Sequence, residues 1–200
     1  MRFTNIAKTV ELKKGFVRAS AVFGKTMVLL FKIDKGVLLD NHNHPHIQLG
    51  YCFEGEFDFT AADETIPVHA GDSYQLPSNV YHSAVATTDY YSMDYKIISD
   101  EVIEKPAYNI LKETEKVDNY SVSELMFGGN LLRKYDLKSE RTEIKLQPSD
   151  NKKLCLFVSD DVSVQCGEEK SELKPMEIYL LENKQEISID GGCTLFVVEV

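Results

Sequence analysis

Short apolar runs, rich in β-branched and aromatic side chains and often alternating with polar ones, recur along this chain. In the first half they are Phe16–Phe23, Thr26–Ile33, Gln48–Glu54, Glu56–Ala61, Glu64–Val68, Ser73–Leu76, Tyr81–Ala86 and Tyr90–Ile98. Turn-forming groups separate them at short spacing, for example Asp34-Lys35-Gly36, Ala70-Gly71-Asp72 and Pro77-Ser78-Asn79. That pattern predicts antiparallel strands closing into a sandwich or barrel, an all-β fold. Glu101 to Asn119 breaks the rhythm, with Pro106 and the charged run Lys112 to Lys116. A linker over residues 105–124, carrying one or two helical turns, is expected there. Strand-like runs resume at Leu131–Leu137, Thr142–Gln147, Leu154–Val158, Val162–Cys166, Ile178–Leu181, Glu186–Ile189 and Thr194–Val200. The expected domains are therefore residues 1–104 and 125–200.

The two halves repeat one another. Shifted by 105 residues, the first half lies on the second without a gap from Gly24 to Ala84, with low identity but a matching strand-turn rhythm. A repeat of this size reads as two copies of one domain. The same shift carries His42 to Gln147, His44 to Ser149, Gln48 to Lys153 and His82 to Ile187. The second copy is expected to be structural.

Composition narrows the function classes. Apolar residues make up 43% of the 200, with ten Phe and ten Tyr, enough for a core without staples. A net charge of −10 disfavours nucleic acid and anionic membranes as main partners. There is no signal-peptide pattern and no apolar run long enough to cross a bilayer. Cys52, Cys155, Cys166 and Cys193 are widely spaced and read as buried thiols, so a reducing cytoplasm is expected.

Candidate chemistry concentrates between Gly36 and His82. His42 and His44 are two apart, which on a strand places both rings on one face. His82 follows the turn at Pro77-Ser78-Asn79, on another strand that a small barrel would bring opposite. Imidazole nitrogens at this spacing point to one divalent transition metal (Fe, Ni, Mn or Zn). Gln48 either ligates through its carbonyl oxygen or orients a bound water. His46 reads as a residue of the site's mouth, and His69 as exposed. Three histidines and a glutamine are neutral, so the metal keeps its charge as a Lewis acid and as an anchor for an anionic substrate. On the pattern alone, Asp94 and Lys96 either face the barrel interior or face solvent, with Met93, Tyr95 and Ile97 as core. Arg18, Tyr51 and Gln75 are candidates for contacting substrate, as is Phe31 for lining the pocket.

These residues resemble the cupin motifs. The first motif, G-x5-H-x-H-x3,4-E-x6-G, is matched by Gly36, His42, His44, Gln48 in place of Glu, and Gly55. The second, G-x5-P-x-G-x2-H-x3-N, is matched by Gly71, Pro77, Asn79 in place of Gly, His82, and Ala86 in place of Asn. The resemblance implies two tandem cupin barrels, the second degenerate. More narrowly, the stretch HNHPHIQLGYCFEGE with the later MDYK resembles small cupins of pectin and alginate breakdown, which ketonise 4,5-unsaturated uronates. That resemblance implies metal ligands at His42, His44, Gln48 and His82 and a catalytic aspartate at Asp94. The group carries an aromatic where this chain has Lys96, and an arginine where this chain has Ile97 to Asp100. Lys96 or Arg18 would then hold a substrate carboxylate.

The expected function is a metal-dependent lyase, hydratase or isomerase acting on a small carboxylated, sugar-like substrate. The alternatives are a cupin dioxygenase and a non-catalytic small-molecule-binding cupin. Exposed sheet edges make a homodimer the expected assembly.

Overall fold

The expected alternation is realised as 21 strands in four antiparallel sheets, with no helix among the described residues. The computed structural model describes residues 3–138, 141–149, 151–181 and 185–200. They fall into two units, one spanning Lys8–Ile110 and the other Leu111–Val200 together with the described part of Met1–Ala7. No helix among the described residues is long and apolar enough to cross a membrane.

The first unit contains β1 (Lys8–Lys13), β2 (Phe16–Phe23), β3 (Thr26–Ile33), β4 (Leu38–His42), β5 (Ile47–Glu54), β6 (Glu56–Ala61), β7 (Glu64–His69), β8 (Ser73–Leu76), β9 (His82–Ala86), β10 (Tyr90–Ile97) and β11 (Ala107–Tyr108). One sheet runs β1-β2-β3-β10-β5-β8-β11 and the other β4-β9-β6-β7. The second unit contains β12 (Glu113–Val117), β13 (Tyr120–Phe127), β14 (Asn130–Leu137), β15 (Thr142–Leu146), β16 (Leu154–Val158), β17 (Val162–Cys166), β18 (Glu169–Leu173), β19 (Tyr179–Leu181), β20 (Gln185–Asp190) and β21 (Cys193–Glu199). Its sheets run β12-β13-β14-β21-β16-β19 and β15-β20-β17-β18. Apart from β11, which has no counterpart among the described residues, this is the first unit's order again, so the repeat legible in the sequence is a repeat of topology.

Each unit buries an apolar interior between its two sheets. Phe31, Phe57, Phe59, Tyr74, Leu76 and Tyr90 are among those filling the first. Ile144, Leu154, Leu156, Val164, Ile187 and Val197 are among those filling the second. A side chain of this size contributes about 1.5–3 kcal/mol when fully buried, so each interior can hold its sheets together. Gly55, the last glycine of the first motif, sits at φ 75° between β5 and β6. A Cβ there would lie 2.0 Å from the Asp89 carbonyl oxygen, so both conformation and space call for glycine.

The structure corrects the expected linker. Ala107–Tyr108 pairs with β8, Glu113–Val117 forms β12, and β13 begins at Tyr120, so strands occupy the stretch expected to carry helical turns. Strand β12 is exposed at every position, and so is β1 at the corresponding edge. Without a buried apolar face, neither edge strand stands out as strongly patterned.

A candidate metal centre

Strand β4 ends at His42, and the chain leaves the sheet before His44. The two histidines therefore do not share a strand face, as their spacing suggested. A bulge does that work: Leu39 pairs with Ala84 and His42 pairs with His82, so three residues of β4 span two of β9. The extra residue re-aims His42 toward the interior. His44 follows in the connection to β5, while His82 opens β9 and is buried.

The donor atoms of His42, His44 and His82 all lie within 4.8 Å of one another. Among the described residues they are the one group of His, Cys, Asp or Glu side chains meeting this way. The His42 and His82 rings are 4.2 Å apart and those of His44 and His82 5.0 Å apart, centre to centre. Each Nδ1 faces a backbone carbonyl: Asp40 at 2.9 Å for His42, His46 at 3.2 Å for His44, and Val80 at 2.9 Å for His82. A carbonyl only accepts, so each Nδ1 carries the proton and each Nε2 presents a lone pair. This outer-shell arrangement is how metal-ligating histidines are oriented. His82 Nε2 is buried and has no hydrogen-bond partner. An orphaned buried acceptor is costly, and a cation at the convergence point would satisfy it. Burial lowers His82 to a pKa of about 4, and burial with the nearby Lys96 charge does the same to His44. Both rings are thus neutral near pH 7, the form that binds metal.

Gln48 is buried on β5, its Oε1 2.9 Å from His44 Nε2. Two acceptors that close fit a cation shared between them. The residues present therefore fit a divalent metal held by His42, His44, His82 and Gln48.

Of the two orientations open for Asp94 and Lys96, the interior one is realised. All of β10 is buried, with Asp94 5% and Lys96 7% exposed. Lys96 Nζ is 3.5 Å from Asp94 Oδ2 and 2.9 Å from His44 Nε2. Desolvation lowers the Lys96 pKa, opposed by the Asp94 charge. Tyr74 on β8 donates to Asp94 Oδ1 at 2.9 Å. Tyr74 was not anticipated, although its parity with Leu76 in SYQL marks it as inward. Its ring crosses the chain at Gly50, the cross-strand partner of both Asp94 and Tyr74. A Cβ on Gly50 would lie 2.0 Å from that ring. Burial raises the Tyr74 pKa well above the ordinary tyrosine value, so it stays a donor. Gln48, Tyr74, His82, Ser92 and Asp94, with Phe31 and other apolar side chains, enclose a cavity of about 10 Å³, room for one water-sized guest.

The substrate-contact candidates divide. Arg18 shares the interior face, because it pairs with Phe31, which pairs with Ser92. Its Nε is buried without a partner. Tyr51 and Gln75 do not reach the cavity. Gln48, Gly50 and Cys52 take the inner face of β5, and Tyr74 and Leu76 that of β8, so the period of two turns Tyr51 and Gln75 to the opposite face. His46 is half-buried beside His44, their ring centres 5.5 Å apart. His69 is exposed near Glu56 and Asp72.

Comparison with known proteins agrees with this fold. Residues 29–94 match the cupin domain family. The H2HPP isomerase of Bacillus subtilis is 35% identical over 83 residues, which is 41% of this chain and 35% of that relative's length. Among solved structures, AerE from Microcystis aeruginosa superposes with a TM-score of 0.76 at 17% identity, covering 98% of both chains. A Bacillus subtilis oxalate decarboxylase variant superposes with a TM-score of 0.69 at 10% identity, covering 100% of this chain and 76% of its own. The sequence motifs, the doubled sheet order and these likenesses lead to one conclusion: residues 29–94 match the cupin domain family, and the chain has a two-barrel cupin fold whose five histidines all lie in the first barrel.

Proposed function

We propose that the first barrel is a metal-dependent active site that relocates a proton on a small carboxylated substrate, an isomerase in the broad sense. The observation that carries this reading is the meeting of three imidazole lone pairs with the buried Asp94–Lys96 pair, joined where Lys96 Nζ lies 2.9 Å from His44 Nε2. A divalent Fe, Ni, Mn or Zn ion held by His42, His44, Gln48 and His82 would supply a Lewis-acid anchor for carboxylate and carbonyl oxygens. Lys96, the buried ammonium beside that anchor, pairs with the substrate's carboxylate. Asp94 takes a proton from a carbon next to a carbonyl and returns it to another carbon. Tyr74 fixes Asp94 through Oδ1 and leaves Oδ2 for the transfer.

The isomerase name of the relative from Bacillus subtilis supports this class of step. Ketonisation of 4,5-unsaturated uronates is the first specific reaction to try, since it too moves a proton beside a carboxylate. The test is proton NMR in deuterium oxide, with metal-loaded protein, an unsaturated uronate and a panel of small keto acids. Positional isomerisation or deuterium uptake is expected, abolished in His82→Ala with its metal and abolished in Asp94→Asn with metal retained. Oxygen consumption without isomerisation would replace this reading with an oxygenase. Binding without turnover across the panel would replace it with a small-molecule-binding module.

A further inference from the structure

We propose that Lys96 competes with the metal for His44, so that a small anion which draws the Lys96 ammonium aside tightens metal binding. This rests on the metal site proposed above and extends it to how that site is loaded.

The argument is one of shared lone pairs. His44 Nδ1 donates to the His46 carbonyl, which leaves a single lone pair, at Nε2. Lys96 Nζ lies 2.9 Å from that nitrogen and has only protons to offer it. One lone pair cannot accept from an ammonium and ligate a metal together. His82 differs, because its Nε2 is buried with no hydrogen-bond partner.

Lys96 is also fixed at this spot. It stands on β10 directly across from Gln48 on β5, so the strand pairing that places the glutamine also places the ammonium. Its alternative partner is Asp94 Oδ2 at 3.5 Å, and Tyr74 holds the other carboxylate oxygen in place. One carboxylate offsets one ammonium. It does not offset an ammonium and a divalent ion a few ångströms apart, and like charges at that range repel strongly in a buried site. A second anion in the pocket would bridge the two cations and relieve the repulsion. By linkage, metal and carboxylate then raise each other's affinity by the same factor. Lys96 sets that factor, and Asp94 sets how far it is already offset.

The experiment is calorimetric titration of Ni(II) into metal-stripped full-length protein, with and without saturating acetate. Wild-type protein should bind Ni(II) about tenfold more tightly when acetate is present. Lys96→Met and Lys96→Gln should bind it about tenfold more tightly than wild type without acetate, and acetate should tighten them less than it tightens wild type. Asp94→Asn, which removes the offsetting charge, should bind it more weakly than wild type. Acetate leaving wild-type affinity unchanged would overturn the proposal without any variant needing to fold. Wild-type-like or weaker affinity in both folded lysine variants would overturn it too. In either case the metal site itself would stand. Absence of Ni(II) binding in every protein would overturn the proposal and the metal site together.

Discussion

The two barrels have the same strand order and opposite interiors. In the first, His42 faces His82 across β4 and β9; at the matching register of the second, Ile144 faces Ile187. Gln48, opposite Leu76, corresponds to Leu154, opposite Leu181. Gly50 and Asp94, paired across β5 and β10, correspond to Leu156 and Val197. All five apolar replacements belong to the second barrel's core. Lys96 corresponds to Glu199, whose carboxylate is occupied by the Ser149 hydroxyl and backbone N–H and by the Leu131 N–H. The fold therefore does not need a polar centre. The first barrel keeps a buried imidazole nitrogen without a partner where the second packs isoleucine, a choice that makes sense only if something else satisfies it.

The largest test of this contrast converts one barrel toward the other. His82→Ile places the second barrel's side chain in the first. Metal content by elemental analysis should fall from about one per chain to none, a loss beyond the roughly 10–100-fold that removing an outer-shell partner costs. The metal-free variant should melt no lower than metal-free wild type, because the orphaned nitrogen is gone. A variant that retained stoichiometric metal would break the comparison.

Gly50→Ala probes the same interior sterically. The new Cβ meets the Tyr74 ring at 2.0 Å, and such overpacking typically costs about 1–3 kcal/mol. A clear drop in melting temperature is expected, with weaker proton transfer as Tyr74 leaves Asp94. Leu156, at the matching place, already carries a large side chain.

Glu199→Ala tests the second barrel alone. It removes the acceptor of the Ser149 and Leu131 backbone N–H groups; Ser149 is exposed and Leu131 half-buried, so water replaces part of the loss and about 0.5–1.5 kcal/mol per bond is expected. Chemical denaturation should register the loss while metal content stays unchanged.

The smallest effect is a pH dependence. Burial raises the Glu199 pKa, but the hydrogen bonds from Ser149 and Leu131, with Lys152 nearby, outweigh it and hold the carboxyl below its ordinary value. A depressed folded-state pKa contributes stability above the unfolded value, near ~4.3, that is lost as pH falls through the folded one. Glu199→Gln should therefore flatten the acid limb of the stability curve, measured by melting between those limits.

Much of this contrast is legible in the sequence, and the misses have identifiable causes. The motif glycines and histidines carry their spacing openly, and the strands around them alternate strongly, so barrel and site emerge together. The inference that His42 and His44 share a strand face fails, because a bulge and a strand end intervene where local pattern shows neither. Tyr51 and Gln75 fail through parity, since a strand buried on both faces, like β5, does not announce which face is the pocket. The 105-residue shift finds Ile187 opposite His82. It misplaces the counterparts of His42 and Gln48, which are Ile144 and Leu154 rather than Gln147 and Lys153, because strand register absorbs small insertions that a gapless shift does not. Lys96 is already a candidate in the sequence, as the cation sharing a face with Asp94; its 2.9 Å approach to His44 is what the sequence does not show.

The edges of β8 and β19 are covered differently. Strand β11 covers β8 from just downstream, whereas Asn5 and Ile6 reach Ile178 and Tyr179, so that an amide and an acceptor 173 positions apart are joined. During synthesis Asn5 leaves the ribosome 173 positions ahead of its partner Ile178 and waits for it. The second barrel's closure is thus a late, long-range event, slow in the way that non-local pairing is slow. Until it happens, an uncovered strand edge is open to another chain's. A fusion or deletion that disturbed Asn5 should accordingly show itself as aggregation during expression, in the half of the protein farthest from it in sequence.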